Sequence, residues 1–304
     1  MVMASRGWTR RDFLKGSGAA AGALVLGGGA LAGCARTGGG GAGGDPLEAA
    51  RSSGTIQAGI AGEAPYGFTD QSGKVTGEAP EVARAVFRNL GVSNLLASQV
   101  DFNQLIPALN AGKFSVVAAG MFITPERCKN AAFSIPDYIA ATAFLVPSGN
   151  PEGVATFQDV AQKKLNLAVL SGAVEKDYAL RLGVPASQVQ VFDTQNALLR
   201  AVTDKRVYCA ALTNISLNDL VKKSPGAQVE VTKGFTPVIN GKPEVQAGAF
   251  VFRTPDTSLR EAFNAELKKL HDSGEWLRIT EPFGFTRDNL PPAGVTTEAL
   301  CAGS

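Results

Sequence analysis

The chain has 304 residues, 45% of them hydrophobic and 18% charged, which is enough for one large or two medium domains with a buried core. Four of the 29 basic residues and one of the 27 acidic residues lie in the first 33 positions, so the remainder carries a net charge of −1. This near-neutral balance lacks the electrostatic signature of nucleic-acid binding, and we expect no nucleic-acid partner. One histidine and four cysteines without a Cys-x-x-Cys pair leave too few ligands for a zinc or iron–sulfur centre, so we expect neither a metal nor a cofactor.

The N-terminal region 1–33 has the pattern of an export signal. Arg10 and Arg11 precede an apolar stretch, as in signals of the twin-arginine type. The stretch is mostly glycine and alanine, which argues against a transmembrane anchor. The Leu-Ala-Gly-Cys sequence that ends at Cys34 resembles the lipobox of bacterial lipoproteins, which implies that Cys34 is lipidated. We therefore expect an exported, extracytoplasmic or periplasmic protein, lipid-anchored to the cell membrane, with residues 34–52 as the lipidated cysteine and a glycine-rich tether.

Beyond the tether, predicted strands alternate with predicted helices, which indicates parallel α/β sheets. The helical pattern is clearest where apolar residues recur every three or four positions, as at Val82, Val86 and Leu90. The first half of the chain has predicted strands at 55–60 and 114–119 and predicted helices at 79–90 and 102–110. The second half has predicted strands at 164–170, 189–192 and 206–212 and predicted helices at 173–182, 194–203 and 258–273.

Two extended apolar segments, 143–146 and 246–252, flank the second α/β unit. They predict two crossover strands that lead into and out of a second lobe. Lobe 1 is then formed by residues 53–145 together with 247–304, and lobe 2 by residues 146–246. In a two-lobe α/β architecture of this kind the ligand binds in the cleft between the lobes.

Three cysteines, Cys128, Cys209 and Cys301, follow the lipobox. Export permits one disulfide among them, with one thiol left over. A bond between Cys128 and Cys301 would let the C-terminal tail return to the first lobe. Spacing alone does not decide the pairing.

The segment 120–127 reads Gly-Met-Phe-Ile-Thr-Pro-Glu-Arg and is followed by Phe133-Ser134. It resembles the signature of extracellular solute-binding proteins of the polar amino-acid type, the receptors of ABC importers. The resemblance implies the type II periplasmic-binding-protein fold and a ligand carboxylate clamped by Arg127. A planar guanidinium matches the two oxygens of a carboxylate, and Arg127 follows a buried strand, at the end where open α/β sheets bind ligands. The alternative for Arg127 is a surface ion pair.

Aromatic and acidic residues follow other strands of the first lobe. Glu63 and Tyr66 lie in the loop after the first strand, Phe102 opens a predicted helix, and Phe122 follows the strand before Arg127. All lie at predicted carboxyl ends of strands, so one pocket can receive the three rings. An aromatic box suits a delocalised cation, and Glu63 supplies a counter-charge. Core packing is the alternative for each ring.

Two departures from the amino-acid receptors bear on the ligand. Phe122 replaces a threonine or serine of the family motif, which adds an aromatic wall. Thr213 and Asn214 follow the strand after which amino-acid receptors usually carry an aspartate for the α-ammonium. We therefore expect a ligand that is anionic at one end and diffusely cationic at the other.

A set of segments narrows the resemblance to the ectoine- and hydroxyectoine-binding proteins of ABC importers. In that family three aromatic residues enclose the cationic ring, here Tyr66, Phe102 and Phe122. An acidic residue pairs with the ring nitrogens, here Glu63, and an arginine holds the carboxylate, here Arg127. The segments that carry the resemblance are 63–68, 75–81, 118–129, 171–175 and 281–286.

The second lobe is expected to contact the same carboxylate. Residues 171–174 follow a strand and open a helix, so free backbone N–H groups at and around Gly172 would form an anion site. Thr213 is a candidate hydroxyl donor.

Together these observations predict a substrate-binding lipoprotein that is not an enzyme and has no catalytic residues. It would act as a monomer that closes over ectoine or hydroxyectoine for osmoprotection and presents the solute to a membrane ABC permease. The alternatives are a polar amino-acid or betaine receptor, an exported cyclic-acid dehydratase on the same fold, and a sensor or adhesion module without transport.

Overall fold

The computed structural model describes residues 45–303. The predicted signal peptide (1–33), Cys34 and the tether as far as residue 44 lie outside this range. Residues 46–52, which we expected in the tether, belong instead to a helix, α1 (Pro46–Ser53). Asp45 caps it by accepting a hydrogen bond from the Leu47 N–H, and Leu47 is buried against the first lobe. The folded part therefore begins earlier than the composition indicated.

The remaining elements alternate largely as the hydrophobic periodicity predicts. The other helices are α2 (Glu78–Asn89), α3 (Leu105–Asn110), α4 (Pro125–Cys128), α5 (Phe157–Gln162), α6 (Glu175–Arg181), α7 (Gln195–Thr203), α8 (Asn214–Lys222), α9 (Thr257–Ser273), α10 (Glu275–Thr280) and α11 (Thr297–Ala302). The strands are β1 (Thr55–Ile60), β2 (Phe68–Thr69), β3 (Val75–Thr76), β4 (Asn94–Gln99), β5 (Val116–Phe122), β6 (Ala132–Phe133), β7 (Tyr138–Ile139), β8 (Thr142–Pro147), β9 (Leu167–Leu170), β10 (Val189–Phe192), β11 (Cys209–Thr213), β12 (Val229–Val231), β13 (Val238–Ile239), β14 (Lys242–Pro243) and β15 (Ala247–Phe252).

The strands form two mixed sheets, one in each lobe. The first has the order β4-β1-β5-β15-β6, with β7 also paired to β15, and the second has the order β10-β9-β11-β8-β12. Three adjacent strands pair in parallel in each sheet: β4, β1 and β5 in the first, and β10, β9 and β11 in the second. In the first sheet β15 pairs antiparallel with β5, and in the second β8 pairs antiparallel with both β11 and β12. The sheets are therefore not purely parallel, because the two strands that enter and leave the second lobe are themselves members of the sheets.

Two chain segments connect the lobes side by side. The Ala140 N–H donates to the Gln246 carbonyl (3.0 Å), and β7 pairs with β15 directly beside this bond. Because β8 joins the second sheet from Thr142 onward, the second lobe begins a few residues before the predicted boundary at 145/146. The return at 246/247 coincides with the start of β15.

Local geometry differs from the sequence prediction at several elements. Residues 102–104 form a 3-10 turn ahead of α3 rather than its first turn. The strand predicted at 114–119 runs instead over β5, so Phe122 is its last residue and not part of the following loop. Across residues 45–303, none of the helices combines the length and apolarity needed to span a membrane.

The C-terminal segment returns to the first lobe. Cys301 on α11 forms a disulfide with Cys128 on α4, which is the pairing that the sequence left open, and the remaining Cys209 is buried as a free thiol. The closing helix α9 buries Phe263 and Leu267 against α2 and β15, as its periodicity predicts.

Candidate functional site

Side-chain hydrogen bonds join the lobes across the cleft that separates them, and the seven sequence-predicted site residues lie at or beside these bonds. Glu63, Tyr66, Phe102, Phe122 and Arg127 belong to the first lobe, and Gly172 and Thr213 to the second. Four of these bonds mark the interlobe cleft: Tyr66–Thr213, Ser216–Glu63, Arg127–Gly172 and Asn103–Ser171.

A tight turn after β1 carries Glu63 and Tyr66. The Gly67 N–H donates to the Glu63 carbonyl (3.0 Å), which closes the turn. The Tyr66 hydroxyl reaches into the second lobe and donates to Thr213 Oγ1 (3.0 Å). Its ring lies over Gly120, where φ is +64° and a Cβ would collide with the ring, so only glycine leaves room for it.

Glu63 is buried by contact with the second lobe. Ser216 Oγ lies 2.7 Å from Glu63 Oε1 and donates its single proton to this carboxyl group. The Gln195 amide nitrogen then donates to Ser216 Oγ (3.1 Å) and to the Ala64 carbonyl (2.9 Å). Burial raises the pKa of Glu63 from 4.5 to about 7, and the Ser216 hydrogen bond offsets part of this effect. Glu63 is thus a carboxyl group whose charge depends on what lies next to it.

Arg127 bridges the lobes from the short helix α4. Its Nη1 donates to the Phe122 carbonyl (2.7 Å) and its Nη2 to the Gly172 carbonyl in the second lobe (2.9 Å). The guanidinium carbon lies 5.4 Å from the centre of the Phe102 ring. Burial lowers the pKa of Arg127, while the negative charge of Glu175 acts in the opposite direction. The group stays cationic and keeps further N–H bonds for a ligand.

The aromatic residues form a chain of contacts rather than three walls that touch one another. Tyr66 stacks on Tyr138 at a centroid distance of 5.2 Å, and Tyr138 packs against Phe122 at 6.1 Å. Phe102 makes its contact with the Arg127 guanidinium instead. Tyr138 is thus the ring that joins Tyr66 to Phe122, and no sequence motif indicates this role.

The two second-lobe residues, Gly172 and Thr213, both bond to the first lobe. Thr213 caps α8 by accepting from the Ser216 N–H (3.2 Å), and it also accepts from Tyr66; donation of its own proton to a ligand stays a prediction. Gly172 contributes its carbonyl to Arg127.

Two of the N–H groups expected to form an anion site at residues 171–174 have backbone partners. The Ser171 N–H donates to Phe192 O (2.8 Å) and the Ala173 N–H to Leu170 O (3.1 Å). A Cβ at residue 172 would lie 2.7 Å from Asn103 Cβ, so glycine is required for close contact between the lobes.

Glu175 is a second buried carboxyl group of the cleft that the sequence analysis did not select. It is 1% exposed, and one of its side-chain oxygens has no hydrogen-bond partner. Its pKa is raised to about 8, chiefly by burial; a backbone hydrogen bond and the charge of Arg127 lower this pKa, whereas the charge of Glu63 raises it. Glu175 lies in the first turn of α6, where a carboxylate interacts favourably with the helix dipole. Acidic residues are common at such positions for this structural reason, so the sequence alone did not mark Glu175 as a site residue. Within residues 45–303, no group of three His, Cys, Asp or Glu side chains is placed to hold a metal ion.

Comparison with known proteins identifies what this arrangement resembles. The family model of bacterial extracellular solute-binding proteins, family 3, matches residues 56–287, and a twin-arginine translocation pathway signal sequence matches residues 9–27. The chain is 33% identical over 265 residues to a probable amino-acid ABC transporter periplasmic-binding protein, y4tE, of Sinorhizobium fredii, with 86% of this chain and 87% of the relative covered.

Two solved structures share the fold. The crystal structure of EhuB in complex with hydroxyectoine has a TM-score of 0.77 and 36% identity, covering 86% of this chain and 99% of the other. An ancestral arginine-binding protein bound to glutamine has a TM-score of 0.66 and 30% identity, covering 76% and 97%. The architecture is that of a type II periplasmic binding protein, and the signal indicates export. The chain belongs to the bacterial extracellular solute-binding proteins of family 3.

Proposed function

We propose that this protein captures ectoine or hydroxyectoine outside the cytoplasm and presents it, chemically unchanged, to the permease of an ABC importer. Proteins of its family bind amino-acid-like ligands and work with such a permease. The observation that carries the proposal is that a guanidinium and a buried carboxyl group, Arg127 and Glu63, both bond across the interlobe cleft. A small zwitterion with a carboxylate and a delocalised cation is complementary to this pair.

The carboxylate end of the ligand is assigned to Arg127. Two of its five N–H groups bond to backbone carbonyls, one in each lobe, so three N–H groups remain for a ligand. A carboxylate accepts two of them in parallel, and such charge-assisted bonds are the strong ones. Because Arg127 already contacts Gly172, a ligand bound here is held between both lobes and stabilises closure.

The cationic end is assigned to Glu63 and the neighbouring rings. A cation beside Glu63 favours the ionised carboxylate and opposes the effect of burial on its pKa. Tyr66 lies three positions further along the same turn, and its ring stacks on Tyr138. Each aromatic face offered to a delocalised cation contributes ~0.5–2 kcal/mol. The solved relative with 36% identity is in complex with hydroxyectoine, which supports this choice of ligand.

Polar amino acids are the competing ligands. The lack of a carboxylate after β11 disfavours their α-ammonium; Asn214, at that position, accepts a hydrogen bond from the Ala141 N–H at the connection between the lobes. Glu175, however, is a second buried acid near Arg127 that could receive an α-ammonium. A relative with 30% identity is bound to glutamine. Amino acids therefore belong in the test.

The test is titration calorimetry of the purified protein with ectoine, hydroxyectoine, arginine and glutamine. We expect micromolar binding of ectoine or hydroxyectoine, about −8 kcal/mol. Arg127→Lys loses the bidentate geometry and is expected to weaken binding roughly 10- to 100-fold. Arg84→Lys is the matched control, since Arg84 pairs with Glu81 on α2 (2.7 Å). Heat of binding with arginine or glutamine, and none with ectoine or hydroxyectoine, would identify the protein as an amino-acid receptor instead.

One observation favours an enzyme as a second candidate. The pKa of Glu63, raised to about 7, suits a general acid or base, and an exported dehydratase of cyclic carboxylic acids would need such a group. Prolonged incubation of bound ligand followed by NMR of the released solute distinguishes the two. Recovery of unchanged ligand supports the receptor, whereas a dehydrated product supports the enzyme.

We also propose that the exported protein is a monomer anchored through a lipid on Cys34. The twin-arginine signal match ends before this residue, and the Leu-Ala-Gly-Cys sequence follows it. Mass spectrometry of the mature N-terminus is expected to find a diacylated or triacylated cysteine. Cys34→Ser should move the protein from the membrane to the soluble fraction, where size-exclusion chromatography measures its oligomeric state. A membrane-bound Cys34→Ser variant would refute lipid anchoring.

A further inference from the structure

The helix that carries Arg127 has little packing of its own. α4 is a single turn, Pro125–Cys128, and none of its residues is buried. Thr124 caps it, its side chain accepting from the Arg127 N–H at 3.3 Å, and the Cys128 N–H donates to the Thr124 carbonyl at 3.0 Å. A one-turn helix whose backbone hydrogen bonds are all local is marginal by itself.

A covalent bond fixes this turn to the other end of the chain. Cys128, the residue after Arg127, is bonded to Cys301, which lies 173 positions later in the sequence. The two Cα atoms are 5.6 Å apart, so α4 and α11 lie against each other. Gly303 adds to this contact, since a Cβ at that position would lie 3.2 Å from the Pro125 ring.

The helix α11 is in turn held on the first lobe. The Thr297 hydroxyl donates to the Ser134 carbonyl (2.6 Å), and Thr296 caps the helix by accepting from the Ala299 N–H (3.2 Å). Leu300 packs against the apolar core. Neither α4 nor α11 has a fully buried residue, but α11 has its own side-chain hydrogen bond to the first lobe, so the disulfide gives α4 a second attachment to that lobe.

We propose that the Cys128–Cys301 disulfide is a positioning device for the ligand-binding guanidinium: it fixes the orientation of α4 so that Arg127 meets the ligand carboxylate and the second lobe together. This inference rests on the proposed function only in assigning the carboxylate to Arg127. Both terminal nitrogens of Arg127 already bond to carbonyls of different lobes, so a rotation of α4 cannot keep both bonds. A loosened turn would offer a carboxylate one N–H bond in place of two.

Calorimetry on a double-mutant cycle separates positioning from stability. Cys128→Ala/Cys301→Ala is expected to weaken ectoine or hydroxyectoine binding about tenfold. In an Arg127→Ala background the same change should have no further effect on affinity, because the group that it positions is gone. Both disulfide-free variants should lose thermal stability equally. Cys209→Ala is the control, since Cys209 is a buried thiol of the second lobe. Unchanged affinity without the disulfide, or an equal loss in both backgrounds, would overturn the proposal.

A ligand-independent measurement distinguishes this failure from failure of the proposed function. NMR relaxation of the Arg127 side-chain Nε–H in the unliganded protein reports how rigidly the guanidinium is held. Removal of the disulfide is expected to lower its order parameter to that of an exposed arginine such as Arg200. An unchanged order parameter in the disulfide-free variant would refute positioning whatever the ligand is. If the order parameter falls but the wild type does not bind ectoine, only the ligand assignment is refuted.

Discussion

Closure of the cleft is expected to depend on pH through Glu63. In the closed structure its carboxyl group is buried against Ser216 of the second lobe, and its pKa is raised from 4.5 to about 7. Opening exposes this group to water and restores the ordinary value. An acid whose pKa is raised in the closed form favours closure below pH 4.5, and this contribution is lost as the pH rises through about 7. The difference of about 2.5 between the two values corresponds to about 3 kcal/mol, or roughly a 300-fold fall in the closed-to-open ratio.

Small-angle X-ray scattering of the unliganded protein from pH 4 to 9 measures this effect as an increase in the radius of gyration. Glu63→Gln keeps the shape of the side chain but cannot ionise, so its pH profile should be shallower than that of the wild type, and the remaining slope is expected from Glu175, whose pKa is also raised, to about 8. Glu261→Gln is the control, because Glu261 is exposed on α9. Parallel pH profiles for the wild type and Glu63→Gln would refute the reasoning.

Three further substitutions test the geometry around the cleft. Tyr66→Phe removes the hydrogen bond to Thr213 and should weaken ligand binding about fivefold, since one such bond contributes about 1 kcal/mol; titration calorimetry measures it. Trp276→Phe removes the donor to Asp137 Oδ1 (2.7 Å) inside the first lobe and should lower the free energy of unfolding by about 2 kcal/mol, measured with urea. Gly120→Ala places a Cβ against the Tyr66 ring at a φ of +64° and should cost about 2 kcal/mol or more of stability while also weakening binding.

For each of these substitutions, one outcome would contradict the predicted effect. In a Thr213→Val background, which also lacks the cap of α8, Tyr66→Phe should cause no further loss of affinity; additive losses would mean that the two hydroxyl groups act separately. An unfolding free energy unchanged by Trp276→Phe would mean that the Asp137 carboxyl finds another donor. A Gly120→Ala variant with wild-type stability and affinity would show that the Tyr66 ring is not confined as described.

The sequence predicted the framework well because the framework depends on local periodicity. The apolar positions of α2, such as Val82 and Val86, recur at helical spacing and are fully buried. Phe102 was misplaced because a 3-10 turn and the first turn of an α-helix share the same short-range spacing. Antiparallel strands such as β8 read like parallel ones, since both are continuous apolar runs when buried on two faces.

The residues that bond across the cleft could be selected from the sequence where they stand in or beside a recognisable motif. Arg127 and Glu63 stand in such motifs, and both bond across the cleft. Ser216 was missed because a serine in the first turn of a helix is common, and its role emerges only when another lobe brings a carboxyl group to within 2.7 Å. Tyr138 lies on a two-residue strand whose pairing with β15 is a product of the tertiary fold. Contacts of this kind are not encoded by spacing along the chain.

The strand order of the first sheet constrains how the protein is made. β15 lies between β5 and β6, yet it is synthesised only after the whole second lobe has left the ribosome. Until then β6 lacks its partner strand. A nascent chain that ends before β15 contains the whole second lobe but only part of the first sheet. The second lobe can thus fold during translation, whereas the first lobe can complete its sheet only after β15 has been synthesised.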